Sequence, residues 1–202
     1  MGKLVDGQWV DGNVISSDST GSFKRTPRTF LETISKDHEV YQPDSGRYHL
    51  YVSFACPWAH RTLIFRQLKE LQSHIAVDVV SPDMRVNGWT FDSTFEGSTG
   101  DSLNGLEFLY QLYQKALAGI STSVMVPVLW DRQTETIVNN ESSEIVRILN
   151  TAFNDLTGNT DDYYPEALRG EIDQWNDRIY HTVNNGVYEP GLHRVSQRTM
   201  SQ

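Results

Sequence analysis

Apolar positions fall into short runs whose period alternates between that of a strand and that of a helix. Tyr48-His49-Leu50-Tyr51-Val52-Ser53 gathers aromatic and β-branched residues and reads as a strand. Phe54-Ala55-Cys56-Pro57 turns the chain into a helix expected over residues 57–72, with Leu63, Ile64, Leu68 and Leu71 as its apolar stripe. Proline suits that first turn, where its missing N–H has no helical partner anyway. Residues 75–80 (Ile-Ala-Val-Asp-Val-Val) form a second strand, ended by Ser81-Pro82. Residues 83–102, with Gly88, Gly97 and Gly100, read as loop. Residues 103–117 return to helical period through Leu106, Leu109, Tyr110, Tyr113 and Leu117. Residues 126–130 are a third strand, and residues 136–138 pair back as a fourth after a turn over 131–135. Asn139 or Asn140 is placed to cap a helix carrying Ile145, Ile148 and Leu149.

The order is strand, helix, strand, helix, strand, strand, helix. A helical crossover makes the first two strands parallel, and the last two form a hairpin. The expected fold is therefore α/β, a mixed four-stranded sheet with helices on its faces in the thioredoxin-like arrangement. Residues 1–47, polar and rich in Gly, Ser, Thr and Asp, are expected as an extended N-terminal arm; Phe23-Lys24-Arg25-Thr26-Pro27-Arg28 shows no period. The thioredoxin-like domain spans 48–153. A linker over 151–162 leads to a helix over 165–183 carrying Leu168, Ile172, Trp175 and Ile179, within a last region over 163–202.

With 38% hydrophobic and 11% aromatic residues, the 202-residue chain has enough apolar side chain for a core, which excludes disorder throughout. A net charge of −9 repels phosphate backbones, so no nucleic-acid partner is expected. No apolar run approaches the roughly 18 residues a bilayer span needs. Met1-Gly2-Lys3-Leu4-Val5-Asp6-Gly7 has no apolar signal core, which makes a cytoplasmic location the expectation. A single cysteine cannot form an intrachain disulfide, in keeping with a reducing compartment. No Cys/His spacing suits zinc, so no metal is expected.

That cysteine, Cys56, is the candidate chemical centre. It lies where a strand becomes a helix, and the free N–H groups and dipole of a helix start favour an anion such as a thiolate. A lowered thiol pKa would make it a better nucleophile. His60 and Arg61 follow one turn on, either adding positive potential or facing water. Ala59 stands where a resolving cysteine would, so a mixed disulfide on Cys56 needs an external thiol. The plainer alternative is a buried small hydrophobe. Val126-Pro127 precedes a strand, either as a cis pair offering backbone to an extended peptide or as an ordinary trans proline. Glu141-Ser142 opens a helix. It either takes the ammonium and carboxylate of a γ-glutamyl group or simply caps. Trp89, after Gly88 in a loop, either closes over a bound peptide or plugs the core.

Cys56-Pro57-Trp58-Ala59-His60-Arg61, Gly88-Trp89 with Phe91, Val126-Pro127-Val128-Leu129-Trp130-Asp131 and residues 137–145 (Ile-Val-Asn-Asn-Glu-Ser-Ser-Glu-Ile) together resemble the glutathionyl-hydroquinone reductases, the Xi class of glutathione transferases. Asn176-Asp177-Arg178-Ile179-Tyr180 and Asn184-Asn185-Gly186-Val187-Tyr188 are similar to the start of that family's all-α C-terminal domain. The resemblance implies an enzyme that removes glutathione from glutathionyl-hydroquinones. Cys56 is then the nucleophile, and Trp89, Val126, Glu141 and Ser142 hold glutathione, the co-substrate. The small-molecule partners are glutathione and aromatic hydroquinone conjugates.

The alternatives are an Omega-like thiol transferase or dehydroascorbate reductase, and a glutathione-binding module without turnover. Two departures from the family stand out. The arginine usual shortly before the Val-Pro pair is missing from Gly119-Ile120-Ser121-Thr122-Ser123-Val124-Met125. Residues 189–202 are unlike the family, from which a C-terminal truncation is expected, with poor hydroquinone turnover and a family-like homodimer put in doubt.

Overall fold

The structure is a computed structural model that describes residues 2–12, 16–17, 23–24, 28–84 and 86–186. Its strands are β1 (Gly2–Val5), β2 (Gln8–Asp11), β3 (Ser16–Ser17), β4 (Phe23–Lys24), β5 (Tyr48–Val52), β6 (Ala76–Val79), β7 (Thr122–Ser123), β8 (Val128–Asp131) and β9 (Thr136–Asn139). Its helices are α1 (Pro57–Leu68), α2 (Leu109–Ala116), α3 (Ser142–Thr151), α4 (Asn154–Thr157) and α5 (Arg169–Ile179). The chain divides into two compact units, residues 1–12 with 28–162, and residues 13–27 with 163–202.

The first unit is built on a four-stranded sheet of order β6-β5-β8-β9. β5 pairs parallel with β6 (Leu50 opposite Val77) and antiparallel with β8 (Leu50 opposite Leu129), and β8–β9 is an antiparallel hairpin. This is the mixed thioredoxin-like sheet that the periodicity predicts. All five residues of β5 are buried, as a central strand covered on both faces requires. Asp131 closes the end of β8. It takes a two-pronged bond from Arg47, with Nε–Oδ1 at 2.8 Å and Nη2–Oδ2 at 2.6 Å.

Much of the segment expected as an arm is built into this unit. β1 and β2 form a hairpin whose turn residues, Asp6 and Gly7, both have positive φ, the conformation that a tight two-residue hairpin turn requires. β1 also pairs with β7, giving a second sheet of order β2-β1-β7. Farther along, residues 30–32 run antiparallel beside β9. Glu32 N–H donates to the Val138 carbonyl (3.0 Å), and Asn140 N–H donates to the Phe30 carbonyl (3.1 Å). Leu31 and Asn139 form the bridge between them. Sequence periodicity misses this because an edge segment paired on one side needs no alternating apolar pattern.

Three boundaries differ from expectation. The helix expected from residue 103 begins at Leu109, because the Asp101 carboxylate gathers the N–H groups of Leu103, Asn104 and Leu106 into a turn. The cap of α3 is Glu141 rather than an asparagine; Asn139 Oδ1 accepts from the Glu141 N–H one step earlier (2.8 Å). The expected linker contains α4 and is anchored. Buried Lys69 donates to the carbonyls of Asn159 and Asp161, Asn150 donates to Asp162 (2.6 Å), and Phe153 is buried.

In the second unit, β3 and β4 form a two-residue ladder, so Phe23-Lys24 is extended, as an arm would be, and paired, which its aperiodic sequence does not signal. A 3-10 turn over Glu166–Leu168, α5, and a π-helical turn over Tyr180–Asn184 cover the span predicted as a single helix. Trp175 and Ile179, the expected apolar face, are exposed. The unfamiliar sequence over residues 189–202 lies outside the described residues, as do Val187 and Tyr188 of the family-like run. Among the described residues, no helix is long and apolar enough to cross a membrane, and no group of His, Cys, Asp and Glu could hold a metal ion.

Candidate functional site

Cys56 is the N-cap of α1, with extended backbone (φ −103°, ψ 112°) and Pro57 in the first turn. Its half-buried thiol donates to the carbonyl of Val126 at 3.6 Å. The Val126–Pro127 bond is cis, as the fold leads one to expect. Four influences act on the sulfur. Burial pushes the thiol pKa up, while the N–H groups of Ala59 and Trp58 and the guanidinium groups of Arg28 and Arg61 pull it down. Those N–H groups point toward the sulfur without making a capping hydrogen bond. Burial wins, so the pKa is raised. The helix-start argument, which predicts a lowered pKa, names the right donors but omits the desolvation of a half-buried sulfur. A thiol donating S–H to a carbonyl agrees with the protonated form.

The second part of the site is the start of α3. Glu141 caps the helix, its side chain accepting from Ser143 N–H at 3.3 Å. The capping alternative is thus realised. Two guanidinium groups also flank the same carboxylate, which a simple cap does not require. Arg28 Nε lies 3.3 Å from Oε2, and Arg61 Nη2 lies 3.8 Å from Oε1. Ser142 is buried and its hydroxyl accepts from Arg61 Nε (3.1 Å) and Nη2 (2.6 Å). Arg61 sits above the Trp58 ring, 5.4 Å from its centre, which restricts where the guanidinium can go.

Tyr113 on α2 ties the two parts together. Its buried hydroxyl donates to the Met125 carbonyl (2.8 Å) and accepts from Asn140 Nδ2 (3.2 Å). One phenol thus fixes the residue before Val126 and the residue before Glu141.

The structure therefore brings Cys56, Val126, Glu141 and Ser142 to the same end of the sheet, after β5, before β8 and after β9. Trp89 is only partly buried, packs against the core and accepts at its carbonyl from Leu109 N–H (3.0 Å). It is not part of the hydrogen-bonded set around Glu141. His60 faces solvent. Sequence reasoning missed Arg28 and Tyr113. Tyr113 reads only as one apolar position of a helix. Arg28 lies in a stretch without period, and the lone hint of it is the arginine missing before Val126.

A mixed thioredoxin-like sheet with a cysteine at the first helix N-terminus, a cis X-Pro opposite and an acidic-hydroxyl pair opening a later helix defines the glutathione transferase N-terminal domain. Residues 55–152 match the family model for the glutathione S-transferase N-terminal domain. The chain is a homologue of the Xi-class glutathione transferases and the glutathionyl-hydroquinone reductases.

The glutathionyl-hydroquinone reductase YqjG of Escherichia coli is 51% identical over 199 residues, a match covering 95% of this chain and 61% of that protein. The glutathione-bound structure of YqjG superposes with a TM-score of 0.80 over 93% of this chain and 57% of its own. The Xi class transferase from Natrialba magadii is 43% identical with a TM-score of 0.83, covering 95% of this chain and 57% of that one. Glutathione S-transferase omega-like 2 of Schizosaccharomyces pombe is 50% identical over 180 residues, covering 87% of this chain and 57% of that protein. The chain spans about three-fifths of the length of the curated relatives it matches.

Proposed function

We propose that this chain acts in a glutathione-dependent reductase that removes glutathione from glutathionyl-hydroquinones, with Cys56 as nucleophile. The observation that carries this reading is a lone thiol at a helix start, facing the Val126 carbonyl, with no second cysteine to resolve it. Glutathione is held as an extended peptide. Glu141 takes its ammonium group, Ser142 and the first N–H groups of α3 take the neighbouring carboxylate, Val126 meets its backbone, and Trp89 covers it.

The chemistry then has two halves. The Cys56 thiolate attacks the glutathione sulfur of the conjugate. A sulfur–sulfur bond forms, the bond from sulfur to the aromatic carbon breaks, and that carbon takes a proton to leave as free hydroquinone. A second glutathione thiolate attacks the Cys56–glutathione disulfide, releasing oxidised glutathione and the Cys56 thiolate. The thioether sulfur of the conjugate and the thiol of the second glutathione each give up one electron, and the aromatic carbon takes the two. Because the thiol carries its proton in the free site, the first half runs through a minority thiolate, which the α1 N–H groups and Arg61 stabilise. A cytoplasmic setting, where glutathione keeps thiols reduced, suits this chemistry.

The test is release of free hydroquinone from a glutathionyl-hydroquinone in the presence of glutathione, with Cys56→Ser as control. Turnover that disappears in Cys56→Ser supports the reading. The Omega-like alternative draws on the similarity to the fission yeast protein, and dehydroascorbate reduction without hydroquinone release would favour it. Glutathione binding with neither activity would reduce the role to that of a binding module.

A further inference from the structure

We infer that Arg28 is a substrate-binding residue, the cation that takes the α-carboxylate of the γ-glutamyl group of glutathione. The inference rests on the glutathione reading above and adds a residue from outside the helical framework of the domain.

An α-amino acid head group presents an ammonium and a carboxylate on one carbon. Its complement is a carboxylate and a cation held side by side. Arg28 and Glu141 supply that pair, with Nε 3.3 Å from Oε2 and side chains 18% and 32% exposed. Both are covered enough to be fixed and open enough to meet a ligand. Arg61 is the competing cation. Its Nε and Nη2 are already committed to the Ser142 hydroxyl, and its plane is held over Trp58. It is therefore a positioning residue for Ser142. The terminal nitrogens of Arg28 carry no hydrogen bond among the described residues, so the flat two-pronged edge that suits a carboxylate is left for the ligand.

The placement of Arg28 is built rather than incidental. Residues 30–32 are laced to β9 by Glu32 N–H to Val138 and Asn140 N–H to Phe30, and Asn139 Nδ2 donates to the Glu32 carbonyl (2.9 Å). Thr29 Oγ1 bonds Thr122 Oγ1 at 3.3 Å. β9 runs directly into Glu141, so the lacing that fixes residues 30–32 also sets Arg28 over the α3 start. Charge points the same way. The chain carries −9 overall, yet Arg28 and Arg61 face the single carboxylate of Glu141, leaving a local positive excess for an anionic peptide.

The experiment measures affinity of the full chain and of Arg28→Ala and Arg28→Lys for two probes, by calorimetry. One probe is glutathione. The other is 4-aminobutyryl-cysteinylglycine, the same peptide lacking only the γ-glutamyl α-carboxylate. The parent should prefer glutathione about ten- to a hundredfold, the usual effect of one charge-assisted hydrogen-bonding pair. Arg28→Ala should lose most of that preference while binding the analogue as the parent does, and Arg28→Lys should keep part of it. If Arg28→Ala weakens both probes equally, Arg28 acts only by holding Glu141 and the inference is overturned. If it weakens neither, Arg28 is a bystander and the inference is equally overturned. A parent that binds neither probe with an intact thermal transition overturns the glutathione reading itself, and this inference with it.

Discussion

Arg61, one turn into the helix that Cys56 caps, donates through both Nε and Nη2 to the hydroxyl of Ser142, the first residue of α3. α1 and α3, already packed on one another, are thereby also tied by a single planar side chain. Arg61→Lys cannot reproduce this, because an ammonium offers a point charge in place of a fork. The expected outcome is an affinity for glutathione about tenfold weaker with only a small loss of stability, since a charged hydrogen bond typically contributes about 1.5–3 kcal/mol. Calorimetric titration alongside a thermal melt checks both parts. An unchanged affinity would mean that Ser142 holds its position without Arg61.

The thiol of Cys56 titrates above the ordinary cysteine value because burial outweighs the helix N–H groups and the two arginines. The alkylation rate of the free chain should therefore keep rising with pH beyond the usual midpoint of about 8.5. The mixed-disulfide step should accelerate with pH over the same range. Arg61→Met removes one of the cations that favour the thiolate, and the midpoint should move higher still. A midpoint below that of free cysteine would show that the helix-start donors win instead. Peptide mapping after treatment with oxidised glutathione should place the adduct on Cys56.

Glu141 both caps α3 and stands between two guanidinium groups, and these roles separate by substitution. Glu141→Gln keeps an oxygen for the Ser143 N–H but removes the charge; Glu141→Ala removes both. Loss of a cap costs about 0.5–2 kcal/mol of stability, so Ala should melt lower than Gln. Both should bind glutathione about ten- to a hundredfold more weakly if the ammonium is paired to this carboxylate. Parent-like binding by Gln would leave capping as its whole role.

The sheet order, the strand-to-helix placement of Cys56 and the Val126–Pro127 geometry are legible in the sequence because each rests on local period or local turn chemistry. The start of α2 is not, since it depends on Asp101 collecting N–H groups from residues up to five positions away. The β1–β2 hairpin is local, with Asp6-Gly7 as its turn, but its docking on β7 and the lacing of residues 30–32 to β9 are likewise hidden. They are edge additions whose partners lie about 110 residues away in the chain, as the Asn139 side chain bonding the Glu32 carbonyl illustrates (a separation of 107). That is why Arg28 escapes a reading by motif while Glu141 and Ser142 do not. The fate of Cys56's pKa is hidden for a different reason. The donors can be read from the helix start, but the burial of the sulfur by the folded chain cannot.

Tyr113 is a further long-range tie. Tyr113→Phe deletes only the hydroxyl that joins Met125 to Asn140. It leaves the Met125 carbonyl and the Asn140 amide without this partner inside the core, a loss of about 1–3 kcal/mol. Chemical denaturation should show that loss with an unchanged slope, because the surface exposed on unfolding is the same. A variant as stable as the parent would show that water or a neighbouring group satisfies both atoms.

The Arg47–Asp131 pair governs how the domain meets acid. Asp131 is fully buried at the end of β8, and Arg47 lies in the segment entering β5. Burial alone would raise the Asp131 carboxyl pKa. The Arg47 guanidinium, the Gln133 N–H and the Thr134 hydroxyl outweigh it and hold the pKa below the ordinary value. A carboxyl lowered in the folded state stabilises the fold above the unfolded value of about 3.9 and loses that contribution as pH falls through the folded value. Urea midpoints of the parent should accordingly fall as the pH is taken down through the carboxylate range. Asp131→Asn removes this proton uptake, so its stability should depend less steeply on pH there. At neutral pH it should be less stable by about 3–5 kcal/mol, because Arg47 keeps a buried charge without its counter-ion. Asp78, also buried and lowered, continues to titrate in the variant, so part of the acid dependence should remain. Parallel curves for parent and variant, offset by a constant, would show that Asp131 contributes packing and hydrogen bonds but no linked proton.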